Sequence, residues 1–599
     1  MTDILKDLNT EQKNAVEQID GPSMIVAGAG SGKTRVLTYK IAHLIESGIS
    51  PFEILALTFT NKAANEMKNR IHRLVGSNAG SIWMGTFHSI FARILRWEAQ
   101  YIGFNRNFSI YDEDDSKKLI EDRMKILKVS TERTRPEAVL GTIKNLKNKL
   151  VLHDEYVPLA SNPYEKAVAK VYTEYQNALF RNNAMDFDDL LIYPIVLFRS
   201  NPDVLKKYQT RFKFILVDEF QDTNIAQYHI VKMLSQGYGN ITIVGDDAQS
   251  IYRWRGAEIE NILRFENDFP DCKVTKLEQN YRSTKKILSL ADEVIKNNKR
   301  QLKKNLFTNN QEGEQVVLAE VLSDRDEAQS IVKWVINETA HLKLNFKDFV
   351  VLYRTNAQSR TIEDALRKNS IPYVIVGGVK FYQRREIKDV LAYLKILVNP
   401  RDDEAMTRVL KLRERVGEQT VERLKRHAKE NSLSLCESLF DVFAGKDDSI
   451  AKQSKINAEL FKLAGMIDKY RQVKDEFSPS ELARSIVDEI GIIRELRNEG
   501  TDEALDRMYN VQELLSGISE YTDAAEKPTL EGFLQEVSLV TDIDTYDEKK
   551  NAVTLMTIHS AKGLEYPVVF ITGLEEGIFP LVSSTLTLEE LRKKEDYSM

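Results

Sequence analysis

The sequence predicts an α/β fold built on a parallel sheet, and three stretches carry that prediction. The apolar run at residues 24–27 leads into a glycine-rich loop, and residues 35–45 then place apolar side chains at helical spacing. Further apolar runs at residues 54–57 and 214–217 end in polar residues. Since strands that alternate with helices form parallel sheets, we expect a ligand crevice at the carboxyl ends of these strands.

The glycine-rich loop at residues 27–34 has the spacing of G-x-x-x-x-G-K-[ST], with Ala27 in place of the first glycine and Thr34 last. Glycines let backbone N–H groups turn toward a phosphate, and the N-terminus of the next helix adds partial positive charge. Lys33 would reach the β- and γ-phosphates of a nucleotide, and the hydroxyl of Thr34 would ligate Mg²⁺. The predicted nucleotide-binding residues are Ala27, Gly28, Ala29, Gly30, Ser31, Gly32, Lys33 and Thr34.

Composition narrows the class of protein. A chain of 599 residues has room for roughly three to five domains, each with its own core. Its net charge of −6 gives no overall positive field, so binding of nucleic acid would depend on local patches. Cys272 and Cys436 stand far apart, which excludes a disulfide framework and a zinc or iron–sulfur site. A signal peptide and a membrane-length apolar run are not found, so we expect a cytoplasmic protein without a membrane partner.

Two acids follow the apolar run at residues 214–217, which is a Walker-B pattern. Asp218 would hold Mg²⁺, directly or through water, and Glu219 would orient and deprotonate the attacking water. The pattern is weak alone and strong beside a glycine-rich phosphate loop. A further strand at residues 241–245 places Gln249 at its tip.

Other residues have two interpretations each. Gln12 belongs to a plain amphipathic helix start, capped by Asn9 or Thr10 with Lys13 at the capping-box position, or it reads the edge of adenine. Phe59 is either a core aromatic or a residue that stacks on a base.

Residues 252–257 place Tyr252 and Trp254 among arginines, a mixture that suits stacking on bases and contact with the phosphates of a single strand. Residues 111–183 have charged helical segments in place of apolar strands, which indicates a helical insertion in the α/β domain. The acids at residues 186–189 close that insertion and predict either a solvated helix start or a metal site.

Residues 217–223, 245–257 and 277–284 resemble motifs II, III and IV of the UvrD/Rep/PcrA helicases of superfamily 1A, DNA helicases that move 3′→5′ on single strands. The resemblance extends to the Gln12 helix, the glycine-rich loop and four later stretches, so it covers nearly the whole chain. These four stretches are residues 58–61, 85–89, 350–356 and 557–565.

The resemblance implies two RecA-like domains, each interrupted by a helical insertion. Domain 1A, which binds ATP, would comprise residues 1–110 and 190–280, with insertion 1B at residues 111–189. Domain 2A would comprise residues 281–379 and 551–599, with insertion 2B at residues 380–550. Within 2B, residues 413–420 lack one glycine of the family's usual turn, so they either contact duplex DNA or simply connect two helices.

The resemblance also implies roles for single residues. Tyr281 would stack on adenine with Arg35 on the other face, and Gln12 would read the base edge. Gln249 would sense the γ-phosphate, Arg282 would act as an arginine finger, and Glu565 would touch the nucleotide. The implied DNA contacts are Phe59, Asn61, Thr86, His88, Tyr252, Trp254, Arg255, Arg354 and His559. The implied cofactors are ATP and Mg²⁺, and the implied partners are single-stranded DNA, single-strand/duplex junctions and accessory proteins of repair or replication.

One departure from the family concerns the carboxyl end. The family continues to a motif VI whose arginine is a second γ-phosphate contact, and residues 577–599 contain no segment of that kind, Arg592 being a poor substitute. We therefore expect an incomplete domain 2A and leave two functions open: an ATP-driven helicase, or a remnant that binds ATP and DNA without productive turnover. The loss of an arginine finger costs about 10³–10⁵ in rate.

Overall fold

The structure is a computed structural model that describes residues 4–130, 134–377, 381–445, 454–499, 501–539 and 550–579. These residues group into two compact units. The first unit takes its residues from 1–90, 205–378 and 541–599, and the second from 91–204 and 379–540.

The strands are numbered in chain order. They are β1 (Ser23–Ala27), β2 (Ile54–Thr58), β3 (Trp83–Thr86), β4 (Ser109–Tyr111), β5 (Ala184–Asp186), β6 (Phe214–Val217), β7 (Ile241–Gly245), β8 (Lys273–Leu277), β9 (Phe349–Tyr353), β10 (Tyr373–Val376), β11 (Val553–Thr557) and β12 (Val568–Ile571).

The first unit contains a six-stranded sheet with the strand order β3-β2-β6-β7-β1-β8. Every pairing in it is parallel, including β1 with β7 and β1 with β8. Strands β1, β2 and β7 are buried along their whole length, as expected for a parallel sheet covered on both faces. The carboxyl ends of the strands therefore share one edge, and the prediction of an α/β fold with parallel sheets is confirmed.

A second parallel sheet in the same unit has the order β10-β11-β9-β12. Strand β9 is almost wholly buried, whereas the side chains of β12 alternate between half-buried and exposed. Helices flank both sheets. Those of the first unit are Thr10–Glu17, Lys33–Glu46, Asn61–Val75, Ile225–Ser235, Glu260–Leu263, Phe265–Asp268, Lys285–Ile295, Asp324–Leu342 and Ser359–Lys368.

The second unit is helical apart from the short parallel pair of β4 and β5. Helices Phe87–Glu98 and Pro202–Arg211 begin in one unit and end in the other. The helices of the second unit are Glu113–Ile126, Pro136–Asn148, His153–Tyr156, Pro163–Arg181, Asp189–Ser200, Arg385–Val398, Asp403–Leu412, Glu418–Glu430, Leu435–Phe443, Ser454–Val473, Pro479–Ile490, Ile492–Glu499, Asp502–Ala524 and Leu530–Ser538.

Within the second unit, residues from the two predicted insertions contact each other. The hydroxyl of Tyr111 donates to Asp402 at 2.9 Å, and Lys395 pairs with Asp115 at 3.1 Å. The side-chain amide of Asn399 donates to three oxygen atoms of the β4–β5 region. The stretches predicted as 1B and 2B thus form one unit.

The acids at residues 186–189 are not a solvated helix start, and that prediction is wrong. Asp186 and Asp189 are buried, and Lys147 pairs with them at 2.6 and 2.7 Å. Local charge density predicts exposure only when no cation reaches the acids, and here the cation comes from a helix some forty residues earlier. No group of three or more candidate metal ligands occurs within the described ranges, so the metal interpretation gains no support.

The N-terminal helix Thr10–Glu17 is capped by Asn9, whose side chain accepts from the N–H of Gln12 at 2.8 Å. Gln12, rather than Lys13, occupies the third helical position and completes the capping box. Among the helices that the structure describes, none is both long and apolar enough to cross a membrane.

Candidate nucleotide and nucleic-acid site

The glycine-rich loop joins β1 to helix Lys33–Glu46 in a conformation that glycine favours. Gly30 and Gly32 have φ values of +65° and +86°, in the left-handed region. The loop is also tightly enclosed: a Cβ atom on Gly30 would lie 2.7 Å from Cβ of Arg282. Both features explain the glycines at these two positions.

The residues after β8 hold the outer side of this loop. The side-chain amide of Asn280 donates to the carbonyl of Ala29 at 2.7 Å, and the N–H of Tyr281 donates to that of Gly30 at 2.9 Å. Asn280 also accepts from the N–H of Arg282 at 2.9 Å. The predicted residues Tyr281 and Arg282 therefore lie beside the phosphate loop. Asn280, which orients them, lies in the stretch 277–284 but was given no role from the sequence, because its partner in the loop, Ala29, is 251 residues away.

Gln12 approaches the loop from the N-terminal helix. Its Nε2 atom donates to the carbonyl of Ser31 at 3.1 Å, and its side chain is 2% exposed. The hydroxyl of Tyr281 accepts from Asn9, the cap of the same helix, at 2.9 Å. The two residues predicted to meet the base are thus connected through one helix end.

The guanidinium of Arg35 contacts residues other than Tyr281. Its guanidinium donates to the carbonyl of Asp7 at 2.8 Å and lies over the ring of Tyr39, 5.5 Å from the centroid. Tyr281 is 46% exposed, so part of its side chain is accessible to a ligand. The adenine sandwich between Arg35 and Tyr281 stays a prediction.

Glu219 follows β6 with a backbone φ of +48°, a left-handed conformation that is costly for a residue with a side chain. Its Oε2 atom accepts from Nε2 of Gln221 at 2.6 Å and lies 3.7 Å from Nζ of Lys33. Burial opposes ionisation of Glu219, but the charges of Lys33 and Lys562 outweigh it and lower the pKa of this carboxyl below its ordinary value. Glu219 is therefore a carboxylate at neutral pH.

Asp218, one residue earlier, has the opposite character. Burial, and then the charge of Glu219, raise the pKa of Asp218 to about 7. A divalent cation would compensate such a buried carboxyl, and a carboxylate with the hydroxyl of Thr34 offers the hard oxygen ligands that Mg²⁺ prefers. These two residues therefore fit the predicted metal.

Arg282 and Glu565 meet across the two sheets of the first unit. Nε of Arg282 donates to Oε2 of Glu565 at 2.7 Å, and the two side chains are 41% and 69% exposed. Both were predicted to contact the nucleotide, and the structure brings them together.

Two lysines that were given no role from the sequence lie among these charged side chains. We call Lys33, Asp218, Glu219, Asp222, Asp246, Lys304 and Lys562 the charged cluster. Lys562 pairs with the buried Asp222 and donates to the carbonyl of Gln249 at 2.7 Å. Lys304 pairs with Asp246 at 2.7 Å, and the same carboxylate accepts from Nε2 of Gln249 at 2.7 Å. Lysine is too common for either to stand out in a sequence, although Lys562 lies within the stretch 557–565.

An aromatic–basic cluster follows β7 and reaches the loop after β11. The rings of Phe59 and Tyr252 stack with centroids 5.1 Å apart, and the hydroxyl of Tyr252 donates to the carbonyl of His559 at 2.9 Å. Trp254 is 64% exposed and has the guanidinium of Arg255 4.7 Å from its ring centroid. Tyr252 is buried, so Trp254 offers the accessible ring.

The histidines of this region are neutral at physiological pH. Burial, followed by the charges of Arg354 and Arg255, lowers the pKa of His559 to about 4. Burial alone lowers the pKa of His88 to about 4. Nδ1 of His559 lies 3.5 Å from the guanidinium of Arg354. The ring of His559 makes an edge-on contact with the ring of Trp254, with centroids 5.8 Å apart.

Thr86 is the last residue of β3, and Asn61 lies three residues after the end of β2. Thr86 is buried, and its hydroxyl accepts from the N–H of Ser89 at 3.2 Å. Asn61 is the first residue of helix Asn61–Val75, which Thr60 caps. Their roles at DNA stay predictions.

The remaining predictions concern two further segments. Residues 413–417 connect helix Asp403–Leu412 to helix Glu418–Glu430, and their contact with duplex DNA stays a prediction. Residues 580–599, including Arg592, lie outside the described residues. The expected loss of turnover therefore also stays a prediction.

Comparison with known proteins gives the family. The profile of the UvrD/REP helicase N-terminal domain matches residues 8–270, and that of the UvrD-like helicase C-terminal domain matches residues 275–596.

Relatives match over all or nearly all of this chain. The ATP-dependent DNA helicase PcrA of Staphylococcus aureus strain Mu50 is 43% identical, in an alignment that covers 100% of this chain and 81% of the relative. PcrA of strain MRSA252 is 44% identical over 97% of this chain and 79% of the relative. The protein of the same name from Staphylococcus epidermidis strain ATCC 35984 is 43% identical over 100% and 81%. The chain belongs to the UvrD-like helicase family.

Proposed function

We propose that this protein is an ATP-dependent DNA helicase that moves 3′→5′ along single-stranded DNA in repair or replication. One observation carries the proposal: two loops each reach both the charged cluster and the aromatic–basic cluster. The loop after β7 holds Gln249 beside Asp246 and presents Trp254. The loop after β11 places Lys562 against Asp222 and His559 against Trp254. A change at the nucleotide would thus move side chains that meet DNA.

The chemistry follows from the charge states in the cluster. Lys33 and Arg282 would offset the charge on the transferred phosphoryl group. Glu219, kept ionised by its neighbours, would take a proton from water as the water oxygen bonds to the γ-phosphorus and the bond to the bridging oxygen breaks. Mg²⁺, held by Thr34 and Asp218, would neutralise charge on the phosphate oxygens when bound.

The DNA side relies on stacking and cation contacts rather than on base reading. The open ring of Trp254 would stack on a base of any identity, and Arg255 and Arg354 would meet backbone phosphates. The net charge of −6 gives no general attraction for DNA, so affinity would come from this local patch and fall steeply with salt.

The test uses partial duplexes that carry a 3′ or a 5′ single-stranded tail. We expect ATP hydrolysis that single-stranded DNA stimulates, and unwinding of the 3′-tailed substrate alone. Unwinding of the 5′-tailed substrate would reverse the proposed polarity. ATP and DNA binding without stimulated hydrolysis would favour the binding remnant instead.

A further inference from the structure

Lys40 is a buried lysine in the interior of helix Lys33–Glu46, and it is 1% exposed. Its Nζ atom donates to the carbonyl of Ala15 at 2.9 Å and also to that of Gln18. Both acceptors lie at the carboxyl end of helix Thr10–Glu17. Carbonyls there lack partners within the helix and carry partial negative charge, so an ammonium group stabilises them.

The position is an unfavourable one for a lysine. The neighbouring residues Val36, Leu37 and Ile41 belong to the apolar core, and burial lowers the pKa of Lys40 to about 7. A lysine on the adjacent helix behaves in the ordinary way: Lys13 is 46% exposed and pairs with Glu17 at 3.8 Å. Burial removes the water that would otherwise hydrate the Lys40 ammonium group, and the two hydrogen bonds to carbonyls replace that hydration.

The amino end of helix Thr10–Glu17 lies at the candidate site. Gln12 donates to the carbonyl of Ser31 in the phosphate loop, and Asn9 donates to the hydroxyl of Tyr281. A helix of eight residues is marginal on its own, so its position depends on its contacts: Ala15 and Val16 pack in the apolar core, and polar contacts lie at its two ends. The site supplies the contacts at one end, and Lys40 supplies those at the other.

We infer that Lys40 is a positioning residue for base recognition, which fixes the N-terminal helix on the phosphate-loop helix and so sets where Gln12 and Tyr281 meet the purine. Lys40 lies two turns after Lys33 on the same helix. It therefore fixes the position of the base-reading side chains relative to the phosphate-binding lysine. The inference rests on the proposed function, in which Gln12 reads adenine.

The experiment compares ATP with GTP in hydrolysis stimulated by single-stranded DNA. We expect Lys40→Met to lower the ATP-to-GTP ratio of kcat/KM by about tenfold, in the range of one lost hydrogen bond, and Gln12→Ala to do the same. Lys40→Arg, which keeps the charge, should restore part of the ratio. Lys13→Met is the matched control and should leave the ratio unchanged.

The double variant Gln12→Ala/Lys40→Met shows whether Lys40 acts through Gln12. A ratio equal to that of Gln12→Ala supports the inference, and two effects that add contradict it. A folded Lys40→Met with an unchanged ratio would overturn it and leave Lys40 as a brace of the fold. Should Lys40→Met not fold, the ratio of Lys40→Gln decides in the same way. If Gln12→Ala itself leaves the ratio unchanged, the proposed base reading is at fault instead.

Discussion

The two units each bury a cluster of opposite charges, and the clusters differ in how completely their members are paired. In the second unit, Nζ of Lys147 lies 2.6 and 2.7 Å from carboxylate oxygens of Asp186 and Asp189. Each acid also accepts from the other's backbone N–H, and Tyr175 and Gln176 donate to the remaining lone pairs. Lys147, Asp186 and Asp189 therefore all have charged and hydrogen-bonding partners within the cluster, and we call this cluster closed.

The charged cluster of the first unit is incompletely paired at Lys33 and Glu219, and we call it open for that reason. Lys33 and Glu219 are 3.7 Å apart, too far for a hydrogen bond, and their side chains are 10% and 21% exposed. Polar groups left with capacity for a further partner are the groups that a ligand can use. Buried charge therefore indicates a reactive site only where the charged groups are incompletely paired. A closed cluster of the same kinds of residue stabilises the fold instead.

Among the variants that test this comparison, Lys33→Ala in the open cluster has the largest expected effect. We expect hydrolysis to fall by about 10³–10⁵-fold, the range found for an arginine finger, which likewise stabilises charge in phosphoryl transfer. Affinity for single-stranded DNA and the midpoint of thermal unfolding should stay close to those of the wild type. Loss of DNA binding at low salt by the folded variant would show that the two functions are not separate.

Lys147→Met in the closed cluster should act on stability instead. Removing one partner of a buried ion pair leaves uncompensated charge and costs about 3–5 kcal/mol in the free energy of unfolding. Denaturant unfolding measures this, and kcat per folded molecule should stay unchanged.

Lys144→Met is the matched control, since Lys144 lies on the same helix and pairs with Glu113, which is 70% exposed. Its cost should stay below about 1 kcal/mol. Equal costs for Lys144→Met and Lys147→Met would mean that the closed cluster contributes no more than a pair at the surface.

Trp254→Ala should weaken binding of single-stranded DNA by about 1–3 kcal/mol, the usual worth of one stack between a base and an aromatic ring. Fluorescence anisotropy with labelled oligonucleotides of different sequence should give similar losses for each. Trp334→Ala is the control, because Trp334 is 42% exposed on helix Asp324–Leu342, outside the aromatic–basic cluster. Lower thermal stability with unchanged affinity would mean that Trp254 stabilises the fold and does not bind DNA.

The smallest expected effect concerns pH. With a pKa of about 4 in the folded protein, His559 binds no proton between pH 4 and 6.5, whereas the unfolded chain does. Its contribution to stability is therefore present above pH 6.5 and falls as the pH drops toward 4. Between pH 7.5 and 6 this amounts to less than about 1 kcal/mol, measured as the difference between the wild type and His559→Gln.

Asp189 should respond in the opposite direction. Burial, and then the charge of Asp186, raise the pKa of Asp189 to about 6, so the folded protein holds a proton that the unfolded chain has lost. Its contribution therefore grows as the pH falls from 6 toward 4, measured against Asp189→Asn. A common sign for both variants would contradict the opposite pKa shifts of His559 and Asp189.

The parts of the site that follow a strand were predictable, because β1 and β6 each end in a motif whose spacing is local. Gly28, Lys33, Asp218 and Glu219 are examples. Lys147 with Asp186, and Lys562 with Asp222, were not predictable, since the partners are 39 and 340 residues apart and no local period connects them. Chain folding, rather than spacing, decides which lysine meets which acid.

The backbone at Glu219 has a consequence for protein engineering. A left-handed conformation costs a residue with a side chain about 1–2 kcal/mol that glycine would not lose. Glu219→Gly would relieve that strain, and it would also remove a half-buried carboxylate that the charges of Lys33 and Lys562 stabilise. A library screened only for heat resistance would retain any replacement at this position whose relief of strain exceeds the lost charge pairing, and such variants would no longer hydrolyse ATP. Any such screen needs a parallel selection for turnover.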